Sequence, residues 1–276
     1  SEYVNDTLCD VPTISSSMAN ILIERSPLHA RYAHPRFRKQ EQDFSRVTNF
    51  GSAVAALVFG GAEIDLIDGH SYASKACKEA RDAALAAGRL PLLTEEMTLA
   101  YAVSDVAKAA VVSLIGTDIV PEATIIFRQA GATCRSRPDA LASDHTVLLD
   151  LKVTGTNARD VNRQFFSQGY DMQAAFMERA ADSIDPKNIG RREIFYLFVE
   201  VDPPHGYSFI QVSESTLQIA RKKMNAAVNL WSHCLKENKW PSYQSSRQLT
   251  SRPSYEETAW LIREETDPMI NVEFPQ

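Results

Sequence analysis

The segment that most restricts the fold of this chain is Thr146–Val153, with the sequence TVLLDLKV. Its apolar and β-branched residues predict a buried β-strand, because strands covered on both faces carry nearly continuous hydrophobic runs. Asp150 and Lys152 interrupt the run, and side chains two positions apart on a strand point to the same face. A charge buried away from water is costly unless it is paired, so these two side chains need each other or a ligand.

A second acid, Asp139, lies just upstream of this strand. Residues 131–139 are predicted to form the preceding strand, and the polar residues 142–145 are typical of a turn. A hairpin of the two strands brings Asp139 near Asp150. Two carboxylates about 4 Å apart repel each other by roughly 4 kcal/mol at an effective dielectric constant of about 20, and a shared divalent cation removes that repulsion.

This arrangement is suited to phosphodiester cleavage. Mg²⁺ binds one or two carboxylates and completes its coordination with water and phosphate oxygens. A lysine two residues further on can hold the attacking water or neutralise charge that develops on a phosphate. The spacing alone leaves two interpretations open, a metal site or a structural ion pair, because an acid two residues before a lysine also occurs at Glu237 and Lys239.

Three motifs together make the chain similar to a known family. They are Arg137-Pro138-Asp139, Asp150-Leu151-Lys152 and the stretch Gly169–Phe176, with the sequence GYDMQAAF. In these residues the chain resembles the RecE (exonuclease VIII) branch of the PD-(D/E)xK nucleases, and weaker matches extend the resemblance over roughly residues 10–245.

The resemblance implies an Mg²⁺-dependent exodeoxyribonuclease, with Mn²⁺ as an alternative metal, that digests linear double-stranded DNA processively from 5′ to 3′. It also implies double-stranded DNA ends as substrate, a homo-oligomeric ring, and a RecT-like single-strand annealing protein as partner in DNA recombination. Residue by residue, Asp139 and Asp150 match the metal-binding acids and Lys152 matches the catalytic lysine. Gln173 matches a catalytic-site glutamine on the helix that follows the active-site strand.

The chain departs from the family pattern at Ala55. The family carries a metal-ligating histidine in a Gly-x-Ala-x-His stretch on an early helix, and here that stretch is Gly51–Ala55, with the sequence GSAVA. Alanine cannot ligate a metal. The sequence leaves open whether the protein is a naturally weakened nuclease or a His-to-Ala variant made to stop cleavage. A milder departure is Met177, where the family often has an aromatic residue.

Candidate DNA-binding residues are concentrated in a basic stretch. The formal net charge of the chain is −6, whereas DNA-binding surfaces are usually basic. Residues 25–46 nevertheless contain six basic residues and two acids. This stretch contributes the candidates Arg25, Arg31, Arg36, Arg38 and Lys39. Arg137 and Tyr170 are the candidates near the catalytic motifs, and a solvated charged connector is the alternative interpretation of the basic stretch.

The order of elements predicts an α/β fold with a restriction-endonuclease-like core, in which a mixed central sheet is flanked by helices and preceded by a helical N-terminal part. We expect an exonuclease domain over residues 1–250 and a C-terminal tail over residues 251–276. Four scattered cysteines indicate neither zinc nor an iron–sulfur cluster and fit a reducing bacterial cytoplasm, in a bacterial or prophage-encoded protein. No apolar run approaches a membrane span, so no membrane partner is expected.

Two other functions remain open on the sequence. If Ala55 is native, the protein can be a catalytically silent adaptor that binds DNA ends during recombination. A single-strand nuclease of the same fold is the third hypothesis. The sequence favours phosphodiester hydrolysis with Asp139 and Asp150 holding the metal and Lys152 assisting the water.

Overall fold

The structure is a computed structural model that describes residues 2–38, 44–243 and 251–267. The chain divides into two compact units, Ser1–Ser242 and Tyr243–Gln276. This division lies close to the boundary at residue 250 that the sequence predicts, and the assignment of activities to the two parts stays a prediction.

In the described part of the chain, the helices cluster before and after a block of strands. Their bounds are α1 Glu2–Asn5, α2 Ser16–Glu24, α3 Pro27–Ala33, α4 Arg46–Phe59, α5 Lys75–Ala86, α6 Thr94–Ile115, α7 Asn162–Ser167, α8 Tyr170–Ile184, α9 Glu214–Glu237 and α10 Ser254–Thr266. A short 3₁₀ turn spans Pro186–Asn188. Several helices begin at a serine whose hydroxyl accepts a backbone N–H of the first turn, as Ser15, Ser26 and Ser213 do.

The strands form one central sheet and two small ones. Their bounds are β1 Ile64–Ile67, β2 Leu90–Leu93, β3 Ile119–Pro121, β4 Ile125–Gln129, β5 Ala132–Ser136, β6 Ala140–Ala142, β7 Val147–Thr154, β8 Glu193–Glu200 and β9 Tyr207–Gln211. The central sheet has the order β3-β6-β7-β8-β9, while β1 pairs with β2 and β4 pairs with β5. Only the β7–β8 pair of the central sheet is parallel, so that sheet is mixed.

Helices cover both faces of the central sheet. On one face, Leu148 of β7 packs in a core with α2, α8 and α9. On the other face, Leu149 packs in a second core with α4 and α6. Successive residues of β7 therefore enter different cores, as the alternation of side chains along a strand requires. The predicted mixed sheet flanked by helices is confirmed.

The predicted hairpin of residues 131–139 with the strand at residues 146–153 is wrong in its pairing. Strand β5 pairs with β4 in a separate two-stranded sheet, and the partner of β7 is the short strand β6. The chain leaves β5 at Arg137 and Pro138, and proline has no N–H to continue a ladder. Asp139 thus lies immediately before β6 rather than at the end of a long strand.

The sequence from Asp160 to Ala181 predicts one long helix, and the structure divides it in two. Gly169 lies between α7 and α8 with φ of 70°, a left-handed conformation that glycine adopts without steric cost. The sequence analysis also missed β2 and β3, which contain only four and three residues. Both contain a proline, which lowers the strand signal.

Within the described residues, α6 is long and apolar enough to cross a membrane by length and composition. One helix that meets these two criteria is weak evidence for a membrane span. The core helix of a globular protein passes the same test. Ala100, Val103, Ala107 and Val111 of α6 are buried in the core beneath the central sheet, and we interpret α6 as such a core helix.

The second unit contains α10, which has no buried residues. Its exposed apolar side chains include Tyr255, Trp260 and Ile262. Of the predicted tail over residues 251–276, the structure describes residues 251–267, and residues 268–276 lie outside the described part of the chain.

Candidate active site

Asp139 and Asp150 lie opposite each other on neighbouring strands. In the antiparallel pair of β6 and β7, Ala140 is opposite Leu149, so continuing this register by one residue places Asp139 opposite Asp150. Directly opposed residues direct their side chains to the same face. The backbone N–H of Leu151 donates to Oδ2 of Asp139 at 2.7 Å, which fixes the Asp139 carboxylate beside β7.

Asp150 is held by two neighbouring side chains. Its side chain is almost fully buried, with 2% of the residue exposed. The ammonium group of Lys152 forms an ion pair with Oδ1, and the Nε2 amide of Gln173 donates a hydrogen bond to Oδ2. The pairing offsets the cost of burying the carboxylate, and it joins three of the four predicted catalytic residues in one contact network.

Lys152 lies between the carboxylates and two aromatic rings. Its Nζ is 4.6 Å from the ring centroid of Tyr170 and 5.8 Å from that of Tyr196. Burial alone lowers the pKa of the Lys152 ammonium, but the charges of Asp150 and Asp139 outweigh burial and raise the pKa above its ordinary value. Lys152 is therefore a cation at neutral pH, and the carboxylates hold it in that state.

The ionisation of Asp139 is strongly perturbed. Burial, followed by the negative charge of Asp150, raises the pKa of Asp139 well above its ordinary value, although Lys152 and the Leu151 N–H oppose the shift. Burial likewise raises the pKa of Tyr170, with Lys152 opposing and Asp150 contributing to the increase. Such a carboxylate pair favours a bound cation, since a positive charge relieves both the repulsion and the burial cost.

Gly169 positions Gln173 against the carboxylate. The backbone N–H of Gln173 donates to the carbonyl of Gly169 at 3.1 Å, so the first turn of α8 begins at this glycine. A Cβ at position 169 would lie 2.5 Å from Cγ of Asn20. Position 169 therefore requires glycine both for its left-handed φ and for the close approach of α2.

A cleft of about 730 Å³ opens beside Asp139. Helix α4 contributes Ala55 to its wall, and Arg137 and Glu122 line it together with Asp139. The Nε group of Arg137 forms an ion pair with Oε2 of Glu122 at 2.9 Å. Burial raises the pKa of Glu122. The charge of Arg137 opposes this increase, and the charge of Asp150 adds to it. Glu122 is thus the third acid near the site, for which the sequence offers only a weak signal.

The ligands that the site offers to a divalent cation are carboxylate oxygens. Among the described residues, no group of three or more His, Cys, Asp or Glu side chains is arranged to hold a metal ion. Asp139 and Asp150 supply two carboxylates, which suffices for Mg²⁺ because that ion usually keeps several water ligands. Ala55 lines the same cleft as Asp139 and offers no ligand. The residues fit Mg²⁺ as a site with two carboxylates.

Residues 38–250 match a sequence family described as a PDDEXK-like domain of unknown function, DUF3799. This range covers more than half of the 276-residue chain and contains Asp139, Asp150, Lys152 and Gln173. The chain belongs to the DUF3799 family.

A solved structure shares the fold of this DUF3799 chain. A protein from Eubacterium rectale, whose name describes it as a candidate exonuclease, superposes with a TM-score of 0.62 at 14% sequence identity over 97% of both chains. A phage-related exonuclease from Haemophilus somnus 129PT aligns with 67% of this chain and 95% of its own, at 12% identity and a TM-score of 0.35. No curated protein matches the sequence. The family description relates the chain to PDDEXK-like domains, and the shared fold agrees with it; neither singles out the RecE branch.

Among its described residues, the basic stretch contributes none to the lining of the cleft. Of the predicted DNA-binding residues, Arg137 lines the cleft and Tyr170 contacts Lys152, whereas Arg25, Arg31, Arg36 and Arg38 do not line it. Lys39 lies outside the described residues. DNA contacts by these four arginines therefore stay a prediction.

Two of these arginines have intramolecular partners. The guanidinium of Arg31 is 5.8 Å from the ring centroid of Phe37 and 5.9 Å from that of Trp240. Arg36 donates to the carbonyls of Asp6, Cys9 and Asp10 and is therefore occupied with the N-terminal segment. This geometry favours a structural role for Arg36.

Sequence reasoning missed the N-terminal residues of the DUF3799 chain that approach the cleft. Val4 of α1 lines the cleft, and the ring of Tyr3 lies against Arg135 and Arg137. No motif marks these residues, because the contacts join positions more than 130 residues apart. The sequence feature that comes closest to indicating these contacts is Asp6, an acid that precedes an irregular stretch.

Proposed function

We propose that this chain is an Mg²⁺-dependent exodeoxyribonuclease that degrades linear double-stranded DNA from 5′ to 3′. The observation that carries the proposal is the opposition of Asp139 and Asp150 beside Lys152 and Gln173, at the edge of a cleft. Two carboxylates with an adjacent ammonium group match the needs of phosphodiester hydrolysis. The fold shared with the Eubacterium rectale protein is consistent with the exonuclease assignment.

The side chains divide the work of the reaction. Asp139 and Asp150 would hold Mg²⁺, which when bound polarises the phosphate and supplies an activated water. Lys152, kept cationic by the two carboxylates, is placed to orient a water or to stabilise charge on the phosphate. Gln173 fixes the orientation of Asp150 through its amide. The Leu151 N–H holds Asp139 in register with Asp150.

The proposal includes a reduced turnover. Position 55 is where the family that the sequence resembles carries a histidine, and Ala55 lines the cleft that contains Asp139. A histidine on this helix face would approach the cleft, whereas the alanine methyl group cannot bind a cation. We therefore expect weak cleavage with Mg²⁺ rather than the full rate of a complete site.

The biological setting is proposed from the resemblance. Double-stranded DNA ends would be the substrate, a RecT-like annealing protein the partner, and a homo-oligomeric ring the working assembly. From the same resemblance we propose a cytoplasmic protein that is bacterial or prophage-encoded.

A second candidate function is a catalytically silent adaptor that binds DNA ends. The absence of a third ligand at Ala55 favours it, as does the lack of a group of three metal-ligating side chains among the described residues. In such an adaptor, the fold and the cleft would serve binding alone.

The deciding experiment uses an end-labelled linear duplex with Mg²⁺ or Mn²⁺, with circular duplex and single-stranded DNA of the same sequence in parallel. We expect mononucleotides from the linear duplex and none from the circle, and Asp150→Asn should abolish their release. Preferred digestion of the single strand would favour the single-strand nuclease. If the wild-type protein and the Ala55→His variant both bind DNA ends but release no nucleotides, the adaptor is favoured.

A further inference from the structure

The N-terminal segment of the chain is fixed firmly against the body of the domain. The carboxylate of Asp6 is fully buried and pairs with Arg135, and its Oδ2 lies 3.1 Å from Nε of Arg36. Oδ2 also accepts the backbone N–H of Thr13 at 3.0 Å and lies 3.3 Å from Nε2 of His34. A carboxylate with this many buried partners holds the segment in one place.

This anchor places the ring of Tyr3 against two guanidinium groups. The ring centroid lies 4.6 Å from Cζ of Arg137 and 5.1 Å from Cζ of Arg135. Both distances are within the range of a cation–π contact. Arg135 is also bound to Asp6, so one of the two cationic neighbours of the Tyr3 ring is itself fixed.

Arg137 is the member of this group that lines the cleft. Its Nε lies 2.9 Å from Oε2 of Glu122, which holds the guanidinium from that side. Pro138, whose ring restricts the backbone, is the single residue between Arg137 and Asp139, and both flanking residues line the cleft. A guanidinium held along one edge and one face is pre-organised to bind a planar or tetrahedral anion with its remaining donors.

We propose that Tyr3, together with Glu122, is a positioning residue that directs Arg137 toward a phosphate group of the nucleic-acid strand bound beside Asp139. This inference rests on the proposed nuclease function and assigns a role in it to the N-terminal segment. Tyr3 lies outside the range that matches the family, residues 38–250.

The test measures DNA affinity without cleavage, by fluorescence anisotropy of a labelled duplex in EDTA at several salt concentrations. Each phosphate that a cationic side chain neutralises contributes about −0.9 to the slope of log K against log salt concentration. Arg137→Gln should reduce the magnitude of the slope by about one. Tyr3→Ala removes no formal charge, yet it should reduce the slope nearly as much, because Arg137 is no longer directed at the phosphate.

Three further variants test whether the change in salt slope is specific to the contact between Tyr3 and Arg137. Tyr3→Phe keeps the ring and should restore most of the slope and affinity. The Tyr3→Ala/Arg137→Gln double variant should be no weaker than Arg137→Gln alone, since both act through one contact. Tyr101→Ala removes a half-exposed tyrosine on α6 and serves as the matched control. Thermal unfolding of each variant identifies any loss of fold.

Comparing duplexes with a 5′-phosphate and a 5′-hydroxyl separates a terminal phosphate from an internal one. If the variants change the salt slope only with the 5′-phosphorylated duplex, Arg137 binds the terminal phosphate. If they change it with both duplexes, Arg137 binds an internal phosphate of the strand. If folded Tyr3→Ala binds with the wild-type slope while Arg137→Gln does not, Tyr3 has no positioning role. If the wild-type protein binds no duplex at all, the proposed nuclease function fails first.

Discussion

The Oδ2 atom of Asp139 accepts a hydrogen bond from the backbone N–H of Leu151 at 2.7 Å. This bond ties the residue before β6 to the middle of β7 and aligns the Asp139 carboxylate with that of Asp150. Asp139 is thereby held in a buried site next to a like charge, where its ionised form is unfavourable without a cation. The chemistry proposed for the site and the stability of the metal-free protein both depend on this arrangement.

Asp139→Asn should stabilise the metal-free protein at neutral pH. The folded-state pKa of Asp139 stands above its unfolded value of about 3.9, so the folded state binds the proton more tightly. The free energy of unfolding then falls as the pH rises from that value through the folded pKa. Asparagine keeps the acceptor for Leu151 and removes the charge, and we expect a gain on the order of 1 kcal/mol or more at pH 7.

Chemical denaturation in EDTA, at a series of pH values, measures this gain as the difference between the variant and the wild-type protein. The difference should be small near pH 4 and grow with pH. If the difference in unfolding free energy stayed constant over that pH interval, the ionisation of Asp139 would not be the source of the destabilisation. Added Mn²⁺ should raise the melting temperature of the wild-type protein and leave that of the variant nearly unchanged.

Lys152→Met should destabilise the protein through Asp150. Methionine replaces the aliphatic stem of Lys152, but the buried Asp150 carboxylate loses its cationic partner. Removing one member of a buried ion pair costs about 3–5 kcal/mol. The double variant Asp150→Asn/Lys152→Met should recover most of that loss, since no charge remains unpaired. Urea denaturation of the four proteins gives the coupling energy, and strictly additive effects would contradict the pairing.

Ala55→His should raise Mg²⁺-dependent digestion of linear duplex DNA by orders of magnitude. Position 55 lines the cleft that contains Asp139, and an imidazole there adds a ligand to a site with two carboxylates. Ala55→Gln, which adds bulk without an imidazole, is the matched control. Rates are compared by release of labelled mononucleotides. If the histidine variant digests no faster than the wild-type protein, Ala55 is not the vacant ligand position.

Gly169→Ala should destabilise the domain and displace Gln173. A Cβ in the left-handed conformation costs about 1–2 kcal/mol, and at this position it also collides with Asn20. Gly155→Ala is a suitable control, because no atom lies within 4 Å of the Cβ it would add. Thermal unfolding should show a lower midpoint for position 169 only. Equal midpoints for the two variants would mean that the α7–α8 junction tolerates a side chain.

Much of the central sheet was predictable from its hydrophobic runs. The strand around Asp150 and the strand Glu193–Glu200 are long, apolar and buried on both faces, so their sequences indicate them directly. The strand that pairs with β7 was not predictable in this way. It has only three residues, and its position follows from the proline that ends β5 and from pairing with β3.

The candidate site was predictable where residues lie close in sequence. Asp150 and Lys152 are two positions apart, and the turn before β7 limits where Asp139 can lie. Gln173 was assigned through the resemblance to a family rather than from spacing. The contacts of Tyr3 with Arg137 and of Asp6 with Arg135 depend on tertiary packing between the two ends of a long stretch of chain, and no local pattern encodes them.

The most direct test of the central claim is the anomalous difference density of Mn²⁺ in crystals of the protein grown or soaked with that ion. We predict one peak between the carboxylates of Asp139 and Asp150, at metal–oxygen distances of about 2.0–2.2 Å, and its loss in Asp150→Asn. Density elsewhere in the cleft with none at this pair, or carboxylates that remain paired only with Lys152 and Gln173 at saturating Mn²⁺, would contradict the account.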